Sequence, residues 1–190
     1  MEFIDPLHFY GPFKFTGDEQ ALAKCPYAFS AGIYLWTVTD GASRFIHYVG
    51  ETTKFLKRHK EHLTSILGLH YGLFRPDAVS ARDPQPIYGG MWRDKSDDPL
   101  TNAVVNWERH NHGVIAYLES LEIFFAPTSC DTDTRRHLEG SIARNLRDRH
   151  PDEAFYYPKD NRTIPRRAKG ITVSIKSDRQ IRGLDAVLEV

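Results

Sequence analysis

A chain of 190 residues, 41% hydrophobic and 26% charged, is long enough to bury one substantial core and has the composition of an ordinary globular protein. Its 25 Lys and Arg are balanced by 25 Asp and Glu, which counts against a protein that coats nucleic acid through bulk positive charge. No run approaches the roughly 18 to 20 apolar residues that span a bilayer, and Met1 to Pro6 lack a signal-peptide pattern, so a cytoplasmic protein without a membrane partner is expected. Cys25 and Cys130 lie far apart and form no CxxC pair, so they read as reduced, partly buried thiols.

Residues 1–26, with Pro6, Pro12 and Pro26 among several aromatics, read as an irregular N-terminal extension packed on the body. Phe29 to Val38 is β-branched and aromatic on both faces, as in a buried strand. Thr39 to Ser43 supplies turn chemistry around Gly41, and Arg44 to Gly50 forms the second arm of a hairpin. From Thr53 to Leu69 the period becomes helical, with Leu56, Leu63 and Leu67 on one face and His59 and Ile66 on its flank. Residues 71–113 carry Pro76, Pro84, Pro86, Pro99 and a polar run, the marks of a long insertion, with a helix over about 100–109. The literal His-Asn-His at 110–112 reads as a polar loop.

A strand ends in Leu121 to Ala126, and Asp131 or Asp133 caps a helix that runs to about Arg149, before Pro151. Ile171 to Ile175 is a last strand, in a C-terminal extension over 171–190. The order predicts an α+β fold with a small, mostly antiparallel sheet, the hairpin plus a third strand, flanked by helices. The central domain spans 27–170, and both extensions are expected to join the same compact unit.

Three groups of residues carry chemistry. With the turn centred on Gly41, Tyr34 stands directly opposite Tyr48, as two phenols on one face or as aromatic filler of the core. Lys54, Arg58 and His62 follow an i, i+4, i+8 spacing, which gives a phosphate-binding helix face or a plain solvated one. Lys54, Lys57, Arg58 and Lys60 form one basic cluster, and Arg162, Arg166, Arg167 and Lys169 another; two patches on a neutral chain suit a phosphate groove. His59 and His62 at i, i+3 have no cysteine nearby and read as packed or exposed histidines rather than zinc ligands. In the helix near 134–149, Leu138, Ile142, Ala143 and Leu146 make an apolar stripe, and Glu139 falls inside it. A carboxylate there must be paired with an arginine, protonated, or bound to a hard cation such as Mg²⁺.

Gly32-Ile33-Tyr34 and Tyr48-Val49-Gly50, separated by Leu35 to His47, resemble the two tripeptides that name the GIY-YIG nucleases. The resemblance covers roughly residues 29–161. It implies a DNA endonuclease, with RNA not excluded, that uses Mg²⁺ or Mn²⁺ as monomer or homodimer. Residue by residue, Tyr34 resembles the tyrosine that acts as base or orients the attacking water, and Tyr48 the second site tyrosine. Arg58 corresponds to the phosphate-stabilising arginine, His62 to the residue assisting proton transfer, and Glu139 to the sole protein ligand of the metal. Gly50 and Asn161 correspond to structural supports. Lys54, Lys57, Lys60, Arg162, Arg166 and Arg167 are the expected nucleic-acid contacts, and the insertion is expected to touch DNA. YVG replaces YIG, and the gap from Glu139 to Asn161 is longer than the family's. The alternative is a nucleic-acid-binding module that keeps the fold and does not cut.

Overall fold

The computed structural model describes residues 5–75, 86–150 and 170–190. The hairpin forms as its sequence predicts, from β2 (Gly32–Asp40) and β3 (Ser43–Thr52), closing at Gly41-Ala42. Gly41 takes φ +58°, the left-handed conformation that a two-residue hairpin turn demands and that glycine adopts without strain.

The sheet is larger than a hairpin plus one strand. Six strands run in the order β3-β2-β6-β1-β7-β8, adding β1 (Leu7–Lys14), β6 (Leu121–Pro127), β7 (Thr172–Ser177) and β8 (Val187–Glu189). Among the described residues of this sheet only β1 and β7 pair in parallel; the other four pairings are antiparallel. The sheet curls, so that Arg182, between β7 and β8, bridges to Phe45 on β3 and donates its backbone N–H to the Arg44 carbonyl at 2.9 Å.

The segment read as an irregular N-terminal extension thus supplies an inner strand, followed by a short helix α1 (Glu19–Lys24). Its register shifts between Tyr10 and Phe13, and this irregularity accommodates Pro12, which has no N–H to give to a ladder.

Helix α2 (Phe55–Leu67) follows the hairpin, and a two-stranded pair, β4 (Leu73–Phe74) with β5 (Pro86–Tyr88), opens the inserted region. A 3₁₀ turn at Met91–Arg93 leads to α3 (Pro99–Val105), which starts with proline in its first turn and Asp98 capping the Thr101 N–H. The His-Asn-His stretch is helical, not a loop, because α4 (Trp107–Ser120) buries His110, Val114, Tyr117 and Leu118 at helical spacing. Helix α5 (Thr132–Arg149) begins at the Asp131 cap and buries Leu138, Ile142, Ala143 and Leu146, the stripe its sequence predicts.

Two cores result. Helix α5 lies on an aliphatic one with Ile33, Leu35, Ile46 and Val49, while α2 and α4 border an aromatic one with Tyr34, Trp36, Phe55 and Phe125. Among the described residues no helix is long and apolar enough to cross a membrane.

Candidate functional site

The site grows from an irregularity in the hairpin. From the turn outwards, Asp40 pairs with Ser43 and Thr37 with Ile46; then Trp36 pairs with Tyr48, leaving His47 as an extra residue. The expected pairing of Tyr34 with Tyr48 is therefore wrong, since Tyr34 faces Gly50 and Tyr48 faces Trp36. The bulge matters more than the slip. With the turn's own register carried straight through, Tyr48 would lie opposite Leu35, on the aliphatic face. One inserted residue turns it back to the side of Tyr34, and the two rings stand 5.9 Å apart.

Gly50 is required by contact. A Cβ built there would come within 2.3 Å of the Tyr34 ring and hydroxyl, so the phenol lies across bare backbone.

The buried face of α2 also differs from expectation. Leu67 is 46% exposed, while Phe55, His59, His62 and Ile66 point inward. His62 is therefore buried rather than on the solvated face with Lys54. The Tyr34 hydroxyl stands 2.6 Å from His62 Nε2, and His62 Nδ1 is 3.2 Å from the Tyr71 hydroxyl. Burial first, then the charge of Arg58, lowers His62 to about 3. The ring is neutral near pH 7, and because the Tyr34 oxygen already accepts from Arg58 we assign Nε2 as the acceptor of the Tyr34 proton and Nδ1–H as the donor to Tyr71.

Tyr34 is held well above the ordinary phenol range, mainly by burial and then by Tyr48, while a hydrogen bond from Arg58 pulls the other way. Tyr48, half-buried, is raised by burial and by the carboxylate of Glu139. Arg58 loses hydration by burial, yet its bonds to Tyr34 and to Glu61, the latter at 3.0 Å, hold it firmly cationic.

Glu139 reaches the same centre from α5. It is half-buried, and burial followed by repulsion from Glu51 raises its carboxyl to about 7, against partial relief from Arg136 and Arg58. Glu51 is itself fixed by Arg135 at 3.2 Å and Arg136 at 3.8 Å. Two carboxylates, two phenols and a guanidinium near one another give hard oxygen donors beside a cation whose planar fork suits an oxyanion. Among the described residues there is no cluster of three or more His, Cys, Asp or Glu placed to hold a metal.

Comparison with known proteins finds no matching family model, no matching curated protein and no matching solved structure. The chemistry must be read from the side chains.

Of the expected site residues, Tyr34, Tyr48, Arg58 and His62 come together, with Gly50 beneath the first phenol, and Glu139 lies near enough to act electrostatically on Tyr48 and Arg58. Lys54 and Lys57 line a recess of about 230 Å³ with Arg58 and Glu51, and continue with Lys60 into a groove of about 700 Å³. Asn161, Arg162, Arg166 and Arg167 lie outside the described residues. Sequence reasoning missed Glu51, Tyr71 and His47. Glu51 directly follows Gly50 and could have been flagged by that adjacency; Tyr71 sits in the inserted region and carried no periodic signal.

Proposed function

We propose that this chain is a metal-dependent endonuclease of GIY-YIG type, with the curled sheet and α2 forming an enlarged version of that domain, acting on DNA phosphodiester bonds. The reading is supported by the packing of Tyr34, Tyr48, His62 and Arg58, drawn from β2, β3 and α2, with Glu139 of α5 near enough to act electrostatically on Tyr48 and Arg58. A half-buried carboxyl held up to about 7 by burial and by Glu51 is the kind of perturbed group that gathers at functional sites.

The donor set fits a divalent cation. Glu139 is the primary ligand and Glu51 the neighbouring oxygen donor, and both are hard, as Mg²⁺ or Mn²⁺ prefers. When bound, the ion supplies Lewis-acid polarisation of the phosphate and a more acidic water.

The protein's own groups divide the remaining work. Hydrolysis forms a bond from phosphorus to the water oxygen and breaks one to the leaving sugar oxygen, with extra negative charge on the phosphoryl oxygens between. Arg58, partly exposed and permanently cationic, binds that charge with two parallel N–H donors. Tyr48, half-buried, presents a neutral hydroxyl to the phosphate or the water. Tyr34 is 2% exposed, and its hydroxyl is engaged by His62 and Arg58. It serves best as a positioning residue that fixes Arg58 and Tyr48, rather than as the base. His62, neutral and deeply buried, fixes Tyr34 in turn.

Nicking of supercoiled plasmid in Mg²⁺ or Mn²⁺, lost in EDTA, tests the reading. Glu139→Gln and Arg58→Ala should each reduce nicking at least 100-fold with an unchanged far-UV spectrum. Full activity in either variant refutes the site. A non-cutting binding module is favoured by one observation, the buried and fully bonded Tyr34; oligonucleotide binding with no nicking in any metal would select it.

A further inference from the structure

Phe29 is 72% exposed at the start of the hairpin, immediately after the fully buried Ala28. It does not swing on a loose loop. Ala28 accepts from the Leu56 N–H at 2.8 Å, and Ser30 accepts from the Phe55 N–H at 3.1 Å, so the residues on both sides are tied to the first turn of α2. A further pair of bonds, from Ala28 N–H to Cys25 and from Ser30 N–H to Tyr27, holds the same loop from the other side. The backbone that carries the ring is thus tied down on both sides of Phe29, at a fixed place on the surface.

A single exposed aromatic is unremarkable. This one lines the groove of about 700 Å³ with Leu56, Lys54, Lys57, Lys60 and Glu61. Three lysines face one carboxylate, and Glu61 is already engaged by Arg58 at 3.0 Å and Lys57 at 3.8 Å, so the groove offers net positive charge beside an aromatic face. Lys54, Lys57 and Glu61 also line the recess that contains Arg58 and Glu51, so the groove leads out of the candidate site. From Lys54 to Lys60 the helix covers roughly 9 Å, about two to three nucleotides at the ~3.4 Å spacing of a stacked strand.

Resting on the nuclease reading above, we propose that an unpaired nucleotide next to the scissile phosphate stacks its base on Phe29 while its backbone runs over Lys54, Lys57 and Lys60. Base faces are hidden inside a duplex, so a stacking platform engages only a base that has left the helix. The substrate is then a nucleic acid with an unpaired nucleotide beside the cut, held by stacking and charge without reading base edges.

The test measures binding, not cutting. Fluorescence anisotropy in EDTA follows end-labelled single-stranded 12-mers, and the same length of fully abasic strand, against the intact chain, Phe29→Ala, Phe29→Leu and Phe29→Trp. Loss of one stacked base corresponds to an about 5- to 150-fold weaker complex. Phe29→Ala and Phe29→Leu should both show that loss on the normal strand, and Phe29→Trp should restore binding. The fully abasic strand should bind the unmodified protein more weakly and should bind Phe29→Ala and the unmodified protein alike. Equal binding of the normal strand by Phe29→Ala, or by Phe29→Leu, overturns the platform. Metal-dependent nicking without any Phe29 dependence removes the platform and keeps the nuclease. Phe29-dependent binding without nicking in any metal does the reverse.

Discussion

The two faces of one sheet differ in what they bury. Under α5 the inward side chains are chiefly aliphatic, among them Leu7, Ile33, Leu35, Val49, Leu138 and Ile142, with two aromatics, Phe9 and Phe124. On the other face, bordered by α2 and α4, aromatic rings are interleaved with the buried imidazoles of His47, His59, His62 and His110. Hydrocarbon interlocks and asks for nothing more. Buried imidazoles and phenols carry polar atoms that call for partners, and the pairs that form, Tyr34 with His62, His62 with Tyr71 and His47 with Tyr117, fix the orientation of the rings they join. The first face supplies stability without chemistry. The second accepts an energetic cost and holds Tyr34, Tyr48 and Arg58 in place, and a single glutamate from the α5 side completes the group.

The sharpest way to break this division is to push the buried phenol out of its seat. Gly50→Ala puts a methyl group within 2.3 Å of the Tyr34 ring and hydroxyl, so Tyr34 must leave its contacts with His62 and Arg58. Nicking should fall about 100-fold or more, and the melting temperature by roughly 5 °C. A Gly50→Ala variant that nicks plasmid at the unmodified rate would show that the Tyr34 network does not position the site.

Leu138→Ala probes the opposite face. It should cost about 3 kcal/mol in urea unfolding through the cavity it leaves. At a temperature where the variant remains folded, the nicking rate per folded molecule should stay within about twofold. A 100-fold slower rate would mean that the aliphatic layer positions Glu139 as strictly as the aromatic layer positions Arg58.

How much of this was legible in the sequence follows the same division. The α5 stripe and its inset glutamate could be read because aliphatic residues at 3.6 spacing have one physical meaning. On α2 the leucines marked only an edge of the buried face, with Leu56 and Leu63 partly buried, since a histidine can be solvent-facing or core and its letter does not say which. His59 and His62 are buried, while Leu67 is exposed. The bulge was invisible because a hairpin register is set by turn geometry plus any inserted residue, and nothing in Phe45-Ile46-His47-Tyr48 marks the insertion. Strand β1 was lost for a related reason: Gly11-Pro12 reads as punctuation unless a register shift absorbs it.

Acid should separate the two faces as well. His62 lies near 3 and His47 near 4, both mainly through burial, against 6.5 for an exposed imidazole. Below pH 6.5 the unfolded chain takes up protons that the folded chain refuses. The stability these neutral rings permit is therefore complete above 6.5 and lost progressively as pH falls. Between pH 6.5 and 5 each should cost about 2 kcal/mol in urea unfolding. Glu139 runs the other way. Its folded value near 7 exceeds the ordinary 4.5, so its contribution is intact below 4.5 and declines as pH rises toward 7. His62→Gln should reduce the acid slope by one proton. An unchanged slope would mean that His62 already binds a proton in the folded state.

The smallest effect tests how tightly the network is wired. Tyr71 contributes only a 3.2 Å contact to His62 Nδ1, from a residue at the start of the inserted region. Tyr71→Phe keeps the ring and deletes the acceptor, leaving a buried N–H unpaired at a cost of about 1 kcal/mol. The imidazole can recover that cost by moving its proton to Nε2, but Nε2 then ceases to accept from Tyr34, whose hydroxyl must turn elsewhere. A variant that loses about 1 kcal/mol and about tenfold in nicking rate would show that the tautomer of His62 is transmitted through Tyr34 to Arg58. A variant that loses stability alone would confine Tyr71 to packing and cut the chain of orientation at His62. Tyr71→Phe combined with Tyr34→Phe separates these outcomes, because with the Tyr34 hydroxyl gone the tautomer has nothing to act on and the second substitution should add no further loss of rate.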